Sequence, residues 1–252
     1  MARWPILSAW IVMLVPEAAS GQYFSYHRDP PRSTQSVTAT YAAVDFSHAG
    51  ELDSELRFDY SGPAYGAQYS RPNLQVAILF GNQAPVGRPE AENLQLIDAS
   101  LSTWGEIRLT GGHSDNRTRF FIPILVHSNH RRVSGASQPV LSSIDAFSVT
   151  VIGIGTGAGF NGTRGKVQLE ARATPIIGFA TRSFGDATGS SRLFDGDVLL
   201  HFGPLAGRIG LTLGYGIRTQ AWNVGASNLL EEVDDLFRYR GHHHAFRVGI
   251  NW

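Results

Sequence analysis

The chain has 252 residues, no cysteine and a formal net charge of zero, with 21 Lys and Arg against 21 Asp and Glu. Balanced charge without a basic run excludes the electrostatic footprint of a nucleic-acid partner. The missing cysteine excludes a disulfide framework and an acylated-cysteine membrane anchor.

The first 20 residues have the layout of a secretory signal peptide. Arg3 supplies the positive charge, Ile6 to Val15 form a short apolar core, Pro16 ends it, and Ala18-Ala19-Ser20 offers small residues for cleavage after Ser20. The apolar run is well short of the roughly 20 residues a spanning helix needs. Residues 21–35 are polar and contain prolines, and read as a flexible leader.

From 36 to 252 the chain repeats one unit, roughly ten residues of alternating apolar and polar character followed by a turn. The first strand is expected around 37–46. Next, Leu52, Leu56, Phe58 and Tyr60 alternate with Asp53, Glu55, Arg57 and Asp59, and a turn is expected at 61–63. Leu74, Val76, Ile78 and Phe80 share a face; then Ile97, Ala99, Leu101, Ile107 and Leu109 lie opposite Asp98, Ser100, Ser102, Glu106 and Arg108. Phe120, Ile122, Ile124 and Val126 form a strand whose other side, Phe121, Pro123 and Leu125, is also apolar. Phe147, Val149 and Val151 are expected to form an apolar face opposite Ser148 and Thr150. Val167, Leu169, Ala171 and Ala173 oppose Gln168, Glu170 and Arg172. Phe194, Val198, Leu200 and Phe202 oppose Asp195, Asp197 and His201, and Ile209 to Ile217 oppose Arg208, Thr212 and Arg218. The last strand alternates Phe246, Val248, Ile250 and Trp252 with Arg247, Gly249 and Asn251. The count is about ten strands, with eight to twelve as its range.

An alternating strand ending on an aromatic residue resembles the terminal strand of bacterial outer-membrane β-barrels. In those proteins Phe246, Val248, Ile250 and Trp252 would form the signal read by the barrel-assembly machinery. The resemblance implies an all-β, antiparallel up-and-down transmembrane barrel, outer-membrane lipid and the assembly machinery as partners, and outer-membrane localisation after export. It also puts the final residue on the periplasmic side. Short turns are then expected there at 203–207, 157–165, 111–117 and 61–63. The longer connections at 222–236, 181–191, 128–142 and 82–93 belong to the outside. A soluble lipocalin-like carrier shares the alternation but hides its apolar faces. The glycines on polar faces (Gly210, Gly214, Gly216, Gly249) and the aromatics near strand ends (Tyr60, Trp222 and Trp252 among them) favour the membrane.

With the apolar faces outward, the lumen should receive Asp53, Glu55, Arg57, Asp59, Glu106, Arg108, Glu170, Arg172, Asp195, Asp197, Arg208, Arg218 and Arg247. Opposite charges nearly balance, and charges in so narrow an interior must be paired. A closed, salt-bridged lumen is expected rather than a general porin.

Two clusters carry possible chemistry. His127 and Ser128, with Asp98 and Asp145 opening the neighbouring strands, would meet at the outer rim, and a His, an acid and a Ser can perform acyl transfer. Barrels of this size include lipid A deacylases, which carry a His-x-Ser pattern, and omptin-like proteases, which pair acids beside a His. Here Ser128 follows His127 directly, so the two should point to opposite faces. His242 and His244 share a face, but no third ligand completes a metal site. No cofactor or metal is expected. The leading expectation is a barrel with a structural, surface-interaction or restricted-transport role. The alternatives are an outer-membrane hydrolase and the soluble carrier.

Overall fold

A computed structural model describes residues 35–50, 58–84, 86–87, 93–109, 118–135, 147–182, 188–206, 208–227 and 234–252. The signal peptide, all of the leader but Gln35, and residues 51–57 with Asp53, Glu55 and Arg57 lie outside them. The strands are β1 (Ser36–Gly50), β2 (Phe58–Arg71), β3 (Leu74–Gln83), β4 (Leu94–Arg108), β5 (Thr118–Gly135), β6 (Phe147–Thr156), β7 (Ala158–Arg164), β8 (Val167–Arg182), β9 (Thr188–Ala206), β10 (Ile209–Ser227) and β11 (Asp234–Asn251). β6 and β7 pair with β5 and β8 in one unbroken register, so they are one strand interrupted only at Gly157. The wall therefore has ten antiparallel strands.

The sheet closes on itself. β1 pairs with β11 and with β2, and β4 pairs with β5. A path of directly paired residues can be followed around the whole wall. It runs from His48 through Tyr239, Trp222, Ser191, Gly178, Gly153, His127, Ser102, Gln75 and Ser70, and returns to β1 at Ser36, twelve residues from its start. Ten strands with a stagger of this size tilt by about 40° and leave an interior that side chains can fill.

Connections differ at the two ends. At one end, the turn end, β2 and β3 are joined by Pro72–Asn73, and β7 and β8 by Gly165–Lys166. Asn73 (φ 66°) and Gly165 (φ 61°) take the left-handed conformation such tight links need. The β9–β10 link, 207–208, is equally short, and 109–117 between β4 and β5 is the one long connection at this end. The opposite, loop end carries 51–57, 84–93, 136–146, 183–187 and 228–233. Several sequence-based boundaries shift. Residues 61–63 lie inside β2, 158–164 form β7, and β5, β8, β9 and β10 run into segments read as loops. Pairing with a neighbouring strand holds these Gly- and Pro-containing stretches extended, overriding their turn composition.

Toward the turn end the wall is apolar outside and polar inside. Ile154 and Ile177 are 64% and 67% exposed, whereas Asp195 and Arg172 on the inner side are 5% and 8% exposed. Phe246, Val248, Ile250 and Trp252 all stand on this outer face. That inversion suits a wall bathed in lipid, not a soluble carrier. Toward the loop end the pattern flips. Val44, Phe46, Tyr60, Leu96, Val133, Val149, Val151, Trp222 and Tyr239 are buried in one inward cluster, while Asp45, Arg192 and Arg240 are exposed outside. Val149 and Val151 thus face inward, opposite to the expected direction, and Tyr60 and Trp222 fill the interior instead of an interfacial girdle. The physical reason is that the strands extend past the apolar band. There the outer face meets water, and the wall reverts to soluble-barrel patterning.

Candidate functional site in the lumen

Charged side chains on the inner face build two connected clusters. In the first, the Asp98 carboxylate on β4 accepts hydrogen bonds from Asn129 Nδ2 (2.7 Å) and Arg131 Nε (2.7 Å), both on β5, and Arg131 Nη2 completes a two-pronged ion pair. Cross-strand register aligns them, since Asp98 pairs directly with Arg131. The guanidinium also lies over the rings of Phe46 (5.7 Å) and Tyr239 (5.2 Å), tying this ion pair to the apolar cluster.

The second cluster spans the lumen. Asp195 on β9 accepts from Arg218 Nε (3.1 Å) on β10 and Arg172 Nη2 (3.2 Å) on β8. Arg172 also donates to Gln75 Oε1 (3.0 Å), and Gln75 Nε2 donates to Asp197 Oδ2 (3.0 Å), whose other oxygen is paired with Arg247 on β11. β3 and β9 are five strands apart in either direction around the ring. Gln75 therefore joins opposite walls. Arg172 stacks over Trp104 at 4.0 Å, which gives its guanidinium a third partner beside Asp195 and Gln75. Gly216 makes room for this packing, because a Cβ there would collide with the Arg247 guanidinium.

Aromatic rings seal the loop end of the same lumen. Tyr60 stacks on Phe46 (5.0 Å between centroids), Phe46 packs on Tyr239 (5.4 Å), and Tyr239 stacks on Trp222 (5.0 Å). A Cβ at Gly241 would strike Tyr239 and Phe46, so glycine is what lets the stack lie against the wall.

The expected site residues divide as follows. Arg172, Asp195, Asp197, Arg218 and Arg247 meet in the lumen. Glu170 faces inward beside Gln168 Nε2 (2.5 Å), with His201 Nε2 4.0 Å away. Glu106 and Arg108 are exposed at the turn end, and Arg208 is exposed in the short β9–β10 turn. Asp59 belongs on the outer side: its neighbour Tyr60 is the buried, inward residue, so alternation turns Asp59 out.

His127 is not at a rim. β5 continues eight residues beyond it to Gly135, which places His127 mid-wall and fully buried, with Nδ1 sharing a hydrogen bond with Ser102 Oγ (2.9 Å) and Nε2 without a partner. Ser128 points away from it, Asp98 is committed to Arg131 and Asn129, and Asp145 lies outside the described residues. His242 and His244 stand on the outer face, their rings 5.9 Å apart, and among the described residues no group of three metal-binding side chains forms.

Sequence reading missed Gln75, Asn129 and Arg131. Gln75 sits on the polar face of a recognised alternation, but it carries no charge. Arg131 falls in the connection expected at 128–142, because β5 runs on to Gly135.

No family model and no curated protein sequence matches the chain. Among solved structures it is similar to the outer membrane protease OmpT from Escherichia coli, with 6% identity, a TM-score of 0.48, and coverage of 90% of this chain and 98% of that one. It is also similar to the translocator domain of the autotransporter NalP from Neisseria meningitidis (11% identity, TM-score 0.28, 87% and 88% covered). The Pseudomonas putida toluene transporter TodX is a third (8% identity, TM-score 0.26, 88% and 89% covered). The closed barrel and its site rest on this chain's own strand pairing and residues.

Proposed function

We propose that this chain is a non-enzymatic outer-membrane barrel whose lumen is shut, with its turn end in the periplasm and its loop end outside, and that it serves the envelope through its wall and loops. The observation that carries this reading is Gln75, which ties Arg172 and Asp197 together across the full width of the lumen. The aromatic cluster supports it as a second barrier above the first. Three of the four turn-end links, 72–73, 165–166 and 207–208, are two-residue turns, while every loop-end connection is longer than that, which supports the orientation. Envelope structure and surface interaction need only a stable, closed cylinder.

The test is electrical. Purified protein inserted into a planar bilayer should leave the conductance at the level of the bare membrane. Stable, porin-like current steps would overturn the reading and favour transport.

A further inference from the structure

Where the outer face changes from apolar to polar, two arginines stand over one small residue. Ala221 on β10 pairs directly with Arg240 on β11 and with Arg192 on β9, so the arginines flank its methyl group. Their backbones are about 10 Å apart, two strand spacings, within the combined reach of two arginine side chains. Both are exposed, and among the described residues neither has an ion-pair partner. Toward the turn end on the same outer face, Phe194 of the apolar band is the next residue after Arg192, whereas on β11 His242 and His244 stand between Arg240 and Phe246 of the band. Among the described residues, the nearest carboxylates on the outer face are Asp45 on β1, which pairs with His242 one step toward the turn end, and Asp59 on β2, on the Arg240 row but two strands away. Both lie on the far side of β11 from Arg192.

We propose that Arg192 and Arg240 clamp a phosphate of a phosphorylated glycolipid in the outer leaflet, whose acyl chains lie against the apolar faces of β9 to β11. Charge complementarity selects the headgroup. Guanidinium groups bind phosphate in a forked, charge-assisted geometry, and two unpaired ones on a wall with a small residue between them form a cradle for one anion. Burial of acyl chains against the band beneath fixes the remaining part of the molecule. The choice of the outer leaflet rests on the orientation proposed above.

Native mass spectrometry of the detergent-solubilised full barrel, titrated with bis-phosphorylated lipid A, tests the site. The double variant Arg192→Gln/Arg240→Gln should bind about tenfold more weakly. Arg192→Lys/Arg240→Lys should recover part of the affinity, and dephosphorylated lipid A should not distinguish wild type from the double variant. Equal affinity of wild type and double variant for the phosphorylated lipid would overturn the proposal, as would phosphatidylglycerol binding as tightly as lipid A. Heat-modifiable migration in gels checks that each variant is folded. If the double variant fails that check, the single Gln variants carry the test, each expected to lose about threefold. Orientation is read separately. With no native cysteine, Val86→Cys at the loop end should react with an impermeant maleimide on intact cells. Absence of labelling there, with lipid A binding retained in detergent, would overturn the orientation and the leaflet while leaving the phosphate clamp standing.

Discussion

The Gln75 amide and the Asp197 carboxylate, on strands at opposite sides of the barrel, are 3.0 Å apart. A neutral side chain thus stitches together an otherwise ionic network, accepting from Arg172 and donating to Asp197. It satisfies both charges without adding a third, which suits an interior where unpaired charge is costly.

Two seals in series make conductance a combinatorial property. Gln75→Ala should leave the bilayer silent because the aromatic cluster still blocks the loop end, and Phe46→Ala should be silent because the ionic layer remains. The two together are expected to conduct. Current from either single variant would show that its partner layer is not a barrier.

Asp98→Asn should strand the Arg131 guanidinium beneath the aromatic rings. Removing one member of a buried pair costs about 3–5 kcal/mol. Replacing both, as Asp98→Leu/Arg131→Met, should recover most of that loss. Urea unfolding from lipid vesicles, monitored by tryptophan fluorescence, compares the two.

Phe46 and Phe246 are the same residue type on opposite sides of the wall, 1% and 55% exposed. Phe46→Ala opens a cavity among packed rings and is expected to cost about 3–5 kcal/mol. Phe246→Ala should cost less, since lipid chains fill the space. Equal losses in the same unfolding assay would contradict the placement of the two rings.

A charge scan of the outer face should locate the edge of the membrane. Ile124→Arg and Val198→Arg, within the apolar band, are expected to destabilise by roughly 2–4 kcal/mol. Ser190→Arg, beyond the band's edge on β9, should cost about 1 kcal/mol or less. A flat profile across the three positions would mean that the band is not in lipid.

Much of the membrane-facing half was legible because alternation reports faces directly. Phe194, Val198 and Phe202 point outward and Asp195 and Asp197 inward, as period two requires. The loop-end half was misread for the same reason. Val149 and Val151 alternate with Ser148 and Thr150 just as lipid-facing residues would, yet they are buried. Alternation identifies two faces but does not say which is inside. That depends on the medium outside, which changes from lipid to water partway along each strand.

The sequence by itself determined the two-faced strands, bounded their number at eight to twelve, and assigned the polar face of the membrane-facing half to the lumen, because these follow from local periodicity and from charge that must avoid lipid. Only the tertiary structure decided which charges meet. Asp98 with Arg131, and Gln75 with Arg172 and Asp197, depend on register and on a stagger of twelve residues around the ring. Those quantities are set by closure of the whole wall, so no local segment carries them. Closure likewise moved His127 from an expected rim to the middle of the wall, because the length of β5 is fixed by its neighbours on both sides.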